Sequence, residues 1–344
     1  MRATRRPFEL PLATPFETAG GLVERRSGWI VQIGTDPAGL GEVSPLPGFT
    51  ESDDRSDTAL STALSALESD DTSSALAAVR DRPAARNGLV TALLDRRAKR
   101  NDRPLHRELG GEETVESIPV QATIGDADPR TTADRAADAR GEGFRTIKVK
   151  VGVGSIERDL DRLEAVRSSV GAGVAVRVDA NGAWEFDTAR RAIDGLERVG
   201  VSLVEQPLEP TDLGGHRRLR GSLPIALDES VRERSTDEIL DAGAADALVL
   251  KPMALGGPDV ARAVGVRARR AGIGTIVSNT IDAAIARTAA VHVAASLPER
   301  NVSGLATADM LASDVANDPA PVSGGRITVP NAAGLGITEV TVDA

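Results

Sequence analysis

The hydrophobic rhythm of the chain changes once, near Ile118. Ahead of that point, over residues 1–50, apolar and polar positions alternate between frequent Gly and Pro. This predicts antiparallel strands at Leu22–Glu24, Trp29–Ile33 and Leu40–Val43. Ala and Leu then recur at helical spacing over Ser56–Leu67 and Ser73–Val79. A stronger stripe over Asn87–Lys99 carries Leu89, Leu93, Leu94 and Arg97, and Pro104 closes the run. A small sheet followed by helices makes residues 1–115 an α+β unit.

Past Ile118 the pattern becomes strand, helix, strand. The expected strands are Val120–Ile124, Thr146–Lys150, Val174–Asp179, Ser202–Glu205, Ile225–Asp228, Ala247–Lys251, Thr275–Ser278 and a weak Gly304–Thr307. Helical stripes lie between them. Ile156, Leu160, Leu163 and Val166 form one, Ala189, Ile193 and Leu196 another, and Pro258 opens a third through Val260 and Val264. Roughly eight such units over residues 116–310 predict an α/β fold, a parallel barrel of the (β/α)8 type, modified towards (β/α)7β. Residues 311–344 break the alternation. Their strand-like pieces, Arg326–Val329 and Ile337–Val342, are expected to pack back on the N-terminal unit, so that both ends of the chain form an α+β capping domain.

Composition narrows the chemistry. The chain has 344 residues, 41% of them hydrophobic, enough for one large domain or two ordinary ones. Cys is absent, which removes thiolate nucleophiles, disulfides and Cys-ligated zinc and suits a reducing, cytoplasmic setting. No apolar run approaches the ~20 residues of a membrane span. Arg2, Arg5 and Arg6 have no apolar stretch behind them, so no signal peptide is expected. A net charge of −10 argues against a nucleic-acid partner. Lys occurs only at positions 99, 148, 150 and 251, against 41 basic residues in total. A chain that avoids Lys this strongly keeps one where a proton must be lost, because Arg holds its proton. The acidic, Lys-poor surface fits a high-salt setting and a GC-rich genome equally. Oligomeric state is left open.

The stretch Arg145–Val151 reads as a buried strand that carries Lys148 and Lys150 on one face. Two adjacent buried ammonium groups would each lower the other's pKa, towards the ~7–8 of a general base. An edge strand with solvated lysines is the alternative. The other strand ends favour the first reading. Asp179, Glu205, Asp228, Lys251 and Ser278 fall on the same rim, and the steps from Lys150 to Lys251 are 29, 26, 23 and 23 residues. Asp228 alone could be a helix cap. Three clustered carboxylates repel unless a cation neutralises them, and their hard oxygen donors suit Mg²⁺, with Mn²⁺ as the substitute. A metal between two lysines serves abstraction of a proton α to a carboxylate, so a small-molecule carboxylate is the expected substrate.

This arrangement, together with Lys148-Val-Lys150, Val178-Asp-Ala-Asn181, Val204-Glu-Gln-Pro207, Ala226-Leu-Asp-Glu-Ser230 and Leu250-Lys-Pro252, resembles the muconate-lactonising branch of the enolase superfamily. Gly41-Glu-Val-Ser-Pro-Leu-Pro-Gly-Phe49 and Ser278-Asn-Thr-Ile-Asp282 are similar to loops of its o-succinylbenzoate synthases, which dehydrate 2-succinyl-6-hydroxy-2,4-cyclohexadiene-1-carboxylate in menaquinone synthesis. The resemblance implies that Asp179, Glu205 and Asp228 ligate Mg²⁺ and that Lys150 is the base. It implies that Lys251 stabilises the intermediate from the other face and that Lys148 tunes Lys150. It further implies a substrate pocket that includes Arg177, Asn181, Ser278, Asn279 and Thr280. Gln206 stands where the branch often has Glu, and Asn279 and Thr280 replace a serine-rich turn.

Leu46 and Phe49, in a turn stiffened by two prolines, are expected to cover the substrate. His106, His216 and His292 fall on no strand end and read as surface or helix residues. Trp29 and Trp184 read as packing residues, with a wall of the site as the alternative for either, and Gly34 and Gly39–Gly41 read as turn glycines. Dipeptide epimerases of this branch typically carry Asp-x-Asp after the eighth strand, where this chain has Gly304-Leu-Ala-Thr-Ala-Asp309. An N-succinylamino-acid racemase remains open, as does muconate lactonisation with less support. A Schiff-base aldolase would have no need of the three carboxylates, and a non-catalytic barrel would not need all six polar rim residues.

Overall fold

The computed structural model describes residues 1–18 and 21–341. Its N-terminal sheet is antiparallel, in the order β1 (Ala3–Thr18), β2 (Gly21–Ile33), β3 (Gly39–Val43). β1 had no counterpart in the sequence reading, because Pro7, Pro11 and Pro15 interrupt it. Proline removes ladder donors and is tolerated on an edge strand, which is the place β1 takes, with a break in register between Pro11 and Phe16.

The helices Asp53–Glu68 and Pro83–Arg100 pack on this sheet through Val31, Ile33, Val43, Leu60, Leu64 and Leu89. Gly39 and Gly41 are strand residues here, not turn residues. A Cβ on Gly39 would lie 2.0 Å from the Ala92 carbonyl oxygen, and one on Gly41 1.9 Å from that of Gly88. They are small because a helix backbone lies directly on them.

The second sheet is parallel and sevenfold. It comprises β5 (Ala122–Ile124), β6 (Thr146–Lys150), β7 (Ala175–Asp179), β8 (Val201–Glu205), β9 (Ile225–Leu227), β10 (Ala247–Leu250) and β11 (Gly274–Val277), in sequential order. The eighth strand expected at Gly304–Thr307 is reduced to single bridges, Ser303 to Val120 and Gly304 to Ser278. Those bridges join the two edges of the sheet. The chain then turns into a short 3₁₀ helix, Ala308–Met310.

The strand pleat sorts each barrel strand into two sets. Ile147, Val149, Val176, Val178 and Val204 face the surrounding helices as part of the main core. Leu203, Ala226, Ala247, Val249 and Ile276 form a separate small cluster of the other parity. Glu205, Asp228, Lys251 and Ser278 follow two residues after Leu203, Ala226, Val249 and Ile276, so an apolar layer underlies the polar rim.

The tail divides between two partners. β12 (Val322–Ser323) and β13 (Arg326–Thr328) pair with β4 (Ser117–Pro119) in a small antiparallel sheet, and Ile327 joins the barrel core. Leu311, Val315, Leu335 and Ile337 instead pack with Phe8, Leu10, Leu12 and Ile30 of the N-terminal sheet. The strand expected at Ile337–Val342 is a single bridge, Val340 to Ala316, and Val342 lies outside the described residues. No described helix is long and apolar enough to cross a membrane.

Candidate active site

Five neighbouring strands carry the polar residues in sequence. β6 supplies Lys148 and Lys150, β7 ends in Asp179, β8 ends in Glu205, Asp228 follows β9 and Lys251 follows β10. Register places Lys150 beside Asp179 and Asp179 beside Glu205. Lys148 Nζ donates to Asp179 Oδ2 and Glu205 Oε1, both at 2.9 Å. Lys150 Nζ donates to Asp179 Oδ2 at 2.7 Å and to Asn181 Oδ1 at 2.7 Å. Lys251 Nζ donates to Asp228 Oδ2 at 2.5 Å. All three carboxylates are buried. Two lysines therefore bracket three acids, Lys150 at the Asp179 end and Lys251 at the Asp228 end.

The electrostatics correct one expectation. Lys148 does not have a depressed pKa. Burial works against its charge, but Asp179, Glu205 and Asp228 together outweigh burial and hold it well above the ordinary lysine value. Lys251 is raised in the same way, against its burial, by Asp228, Glu229 and Glu205. Each of the three ammonium groups lies 2.5–2.9 Å from a carboxylate. The acids divide. Burial would raise Asp179, but Lys148 and Lys150 hold it well below the usual range. Burial and Asp179 push Glu205 up to about 7 despite Lys148. Burial raises Asp228, against the pull of Lys251.

The remaining predicted residues are less uniform. Ser278 follows β11 and donates to the Gly304 carbonyl at 3.1 Å. Asn279 pairs with Thr307, Nδ2 to Oγ1 at 2.9 Å, and Thr280 donates to Asp282 at 2.5 Å. Asn181, at φ +46°, links Lys150 to Glu229 Oε1, to which its Nδ2 donates at 3.0 Å. Phe49 reaches the rim, with its ring centroid 4.2 Å from Lys251 Nζ. Leu46 is only 3% exposed. Arg177 sits two residues back from Asp179, bound to Gln121 Oε1 at 2.9 Å and the Val302 carbonyl at 3.2 Å. The three histidines are on helices as expected, and all three are fully buried, not at the surface.

Gln206 and Glu229 carry more than the sequence suggested. Gln206 Oε1 accepts from Asp228 N at 3.0 Å and Ser230 N at 3.2 Å, and so shapes the turn that presents Asp228. Gln206 Nε2 donates to the Leu208 carbonyl at 3.0 Å, a bond that an ionised Glu at 206 could not make. The clue was the position of Gln206, directly after a rim carboxylate.

The donor set fits a hard divalent cation. Among the described residues no ready-made group of three acidic or histidine side chains converges on one point, because Lys148 bridges Asp179 and Glu205. The burial that raises Glu205 and Asp228 marks carboxylates with too little positive charge nearby. Their outer oxygens, Glu205 Oε2 and Asp228 Oδ1, accept no hydrogen bond from any described residue. Asp179, Glu205 and Asp228 would hold such an ion.

Comparison with known proteins agrees with this geometry. The profile of the family described as "Enolase C-terminal domain-like" matches residues 131–340. The o-succinylbenzoate synthase of Thermobifida fusca is 42% identical over 224 residues, 63% of this chain and 68% of its own length. The L-Ala-D/L-Glu epimerase of Bacillus subtilis is 32% identical over 346 residues, 95% of this chain and 93% of its own. Its substrate-liganded structure superposes with a TM-score of 0.89, at 30% identity, over 99% of both chains. The dipeptide epimerase of Enterococcus faecalis, solved with Mg and a dipeptide, gives 0.88 at 27% identity over 98% of this chain and 99% of that one.

Proposed function

The chain belongs to the enolase superfamily, and we propose that within it the reaction is that of an o-succinylbenzoate synthase. The order Lys, three carboxylates, Lys on five neighbouring strands supports abstraction of a proton α to a carboxylate, and the 42% identity to the T. fusca synthase is the observation that turns the reading towards dehydration. In the proposed reaction Lys150 takes the α-proton of 2-succinyl-6-hydroxy-2,4-cyclohexadiene-1-carboxylate. The C–H electron pair passes into the ring carboxylate and then back to expel hydroxide from the neighbouring carbon. Hydroxide leaves as water with the proton that Lys150 returns, and the ring becomes aromatic 2-succinylbenzoate.

Mg²⁺, or Mn²⁺ in its place, would be held by Asp179, Glu205 and Asp228 and supply positive charge where the enediolate develops. The likeness to a structure solved with Mg supports that choice. Lys251 offers its ammonium from the opposite end, and Lys148 keeps Asp179 and Glu205 in place. With Lys150 neutral as the base, the ammonium groups of Lys148 and Lys251 and a divalent ion would outweigh the three carboxylates by one positive charge, which suits an anionic substrate. Ser278, Asn279, Thr280 and Asn181 are proposed to contact that substrate. Phe49 is proposed to cover it, and Arg177 to act from beneath. The N-terminal region to about residue 115, with the tail from 311, is proposed as the cap of the 116–310 barrel. A Cys-free chain fits a cytoplasmic enzyme whose partner is a small carboxylate rather than nucleic acid or membrane.

A second reading is epimerisation or racemisation of an acylated amino acid or dipeptide. The B. subtilis epimerase matches 95% of this chain where the T. fusca synthase matches 63%, and lysines at both ends of the carboxylates suit proton removal on one face and return on the other. Purified protein with Mg²⁺ in D₂O should be offered the cyclohexadiene carboxylate, N-succinyl amino acids and dipeptides. Dehydration with the larger kcat/KM supports the synthase. Faster α-deuteration of an amino-acid substrate overturns it in favour of the epimerase or racemase.

A further inference from the structure

The turn between β11 and the helix Ala284–Ser296 is held from the other end of the chain. Its residue Ile281 has φ +58°. A β-branched residue in the left-handed region is strained and persists only where its surroundings enforce it. The Ile281 carbonyl accepts from Arg26 Nε at 3.3 Å. The same guanidinium donates to the Pro45 carbonyl at 2.7 Å, the Ser44 carbonyl at 2.8 Å and Ser44 Oγ at 3.1 Å. Arg26 thus joins the turn that carries Phe49 to the turn that carries Asn279 and Thr280.

Glu42, two residues before Ser44 and wholly buried, makes the second link. The helix Ala284–Ser296 begins at Ala283, which has no side-chain acceptor for the free N–H groups of the first turn. Glu42 supplies both oxygens from β3, accepting from Ala283 N at 2.9 Å and Ala286 N at 2.8 Å. Asp314 Oδ1 accepts from Ala284 N at 2.7 Å, so the start of this helix is set jointly by the N-terminal sheet and the tail. Within the turn, Ile281 N donates to Asn279 Oδ1 at 2.9 Å, so the backbone held by Arg26 and Glu42 also orients the Asn279 side chain.

We propose that Arg26 and Glu42 are positioning residues. By clasping the 279–283 turn they hold Asn279 and Thr280 in the conformation that receives the substrate, so that this side of the pocket forms only when the N-terminal sheet is docked. The inference rests on the reading that Asn279 and Thr280 face the substrate.

The conservative variants Arg26→Lys and Glu42→Gln test it, with Arg86→Ala as the control. Arg86 also ties the N-terminal region to the barrel, through Asp259 at 2.8 Å, but away from this turn. Deuterium exchange of the peptide spanning 278–286 should quicken about tenfold in both variants, with β6 to β10 unchanged, and should not change in Arg86→Ala. KM should rise about tenfold with kcat within about threefold, a split that general loosening would not produce. Unchanged exchange at 278–286, or faster exchange with KM unaltered, overturns the proposal. A protein inert towards every substrate offered, yet with faster exchange at 278–286, keeps the clasp and discards the reading of the site.

Discussion

Two buried charged clusters lie within one turn of each other, and they are compensated differently. At the rim, Asp179, Glu205 and Asp228 are met by lysine ammonium groups. At the seam, Arg26 and Glu42 are met by backbone carbonyls and N–H groups. Backbone partners are fixed by the fold and cannot be exchanged. Lysine ammonium groups sit on flexible stems, carry transferable protons and can yield their place to another cation. The first arrangement suits chemistry and the second suits location. The prolines, the internal Leu46–Thr50 hydrogen bonds and the Arg26 contacts make the intervening turn stiff enough to bring Phe49 to Lys251.

The contrast is sharpest under chelation. EDTA should abolish turnover, and Mg²⁺ should restore it, while the melting temperature shifts by only a few degrees because the lysine ammonium groups still meet the three carboxylates. Full turnover after exhaustive chelation, or a substrate adduct trapped by borohydride, would return the aldolase reading. Next in size is the separation of the two lysines. Lys150→Arg keeps the charge but gives up the usable base, so dehydration should fall by about 10³-fold or more. Lys251→Arg keeps a cation at its end and should cost dehydration less. Equal loss of α-proton exchange in both variants would mark an epimerase.

A third prediction concerns a buried group that carries no substrate role. His292 stacks on His106, with ring centroids 5.6 Å apart, and its imidazole is pushed down to about 3, first by burial and then by His106. The folded state therefore disfavours its protonation. The corresponding stability is complete above the unfolded value near 6.5 and is lost as pH falls from there towards 3. Between pH 6.5 and 5 this amounts to about 2 kcal/mol. Glu42, pushed up to about 8 by burial and Asp282, acts with the opposite sign. The comparison is therefore the change in urea-unfolding free energy between pH 6.5 and 5 in wild type against that in His292→Gln. Identical pH dependence in the two proteins would show that His292 is not held neutral.

The smallest effect separates the two apolar residues of the 45–49 turn. Leu46→Ala removes a buried side chain and should cost about 2–5 kcal/mol of stability. Phe49→Ala should cost about 1–2 kcal/mol of stability, the scale of a partly desolvated cation–π contact, and should weaken substrate use through KM. A large loss of stability in Phe49→Ala would mean that its ring packs chiefly within the N-terminal unit.

Much of this was legible in the chain. A strand period of two put Lys148 and Lys150 on one face, and repeats near one β/α unit put Asp179, Glu205, Asp228 and Lys251 on one rim. Such local periodicities survive in sequence because each strand must bury the same face. The short eighth strand and β1 were less legible. Gly304 is crowded by Ser278, where a Cβ would lie 2.9 Å from its hydroxyl oxygen, and prolines mask β1.

The tertiary structure alone decided what each charge faces. Lys148 was read against Lys150, its neighbour along the strand, but its pKa answers to carboxylates 31 and 57 residues away. Gly39 and Gly41 read as turn residues because the helix that lies on them contributes nothing to their local pattern. Arg26 meets Ile281 across 255 residues, and Glu42 meets Ala283 across 241. Contacts of that span repeat with no period, so the sequence by itself determined which faces are polar and where the strands end. Only the closed barrel with its docked sheet determined which opposite charges and backbone dipoles come within reach, and hence which groups remain free for chemistry.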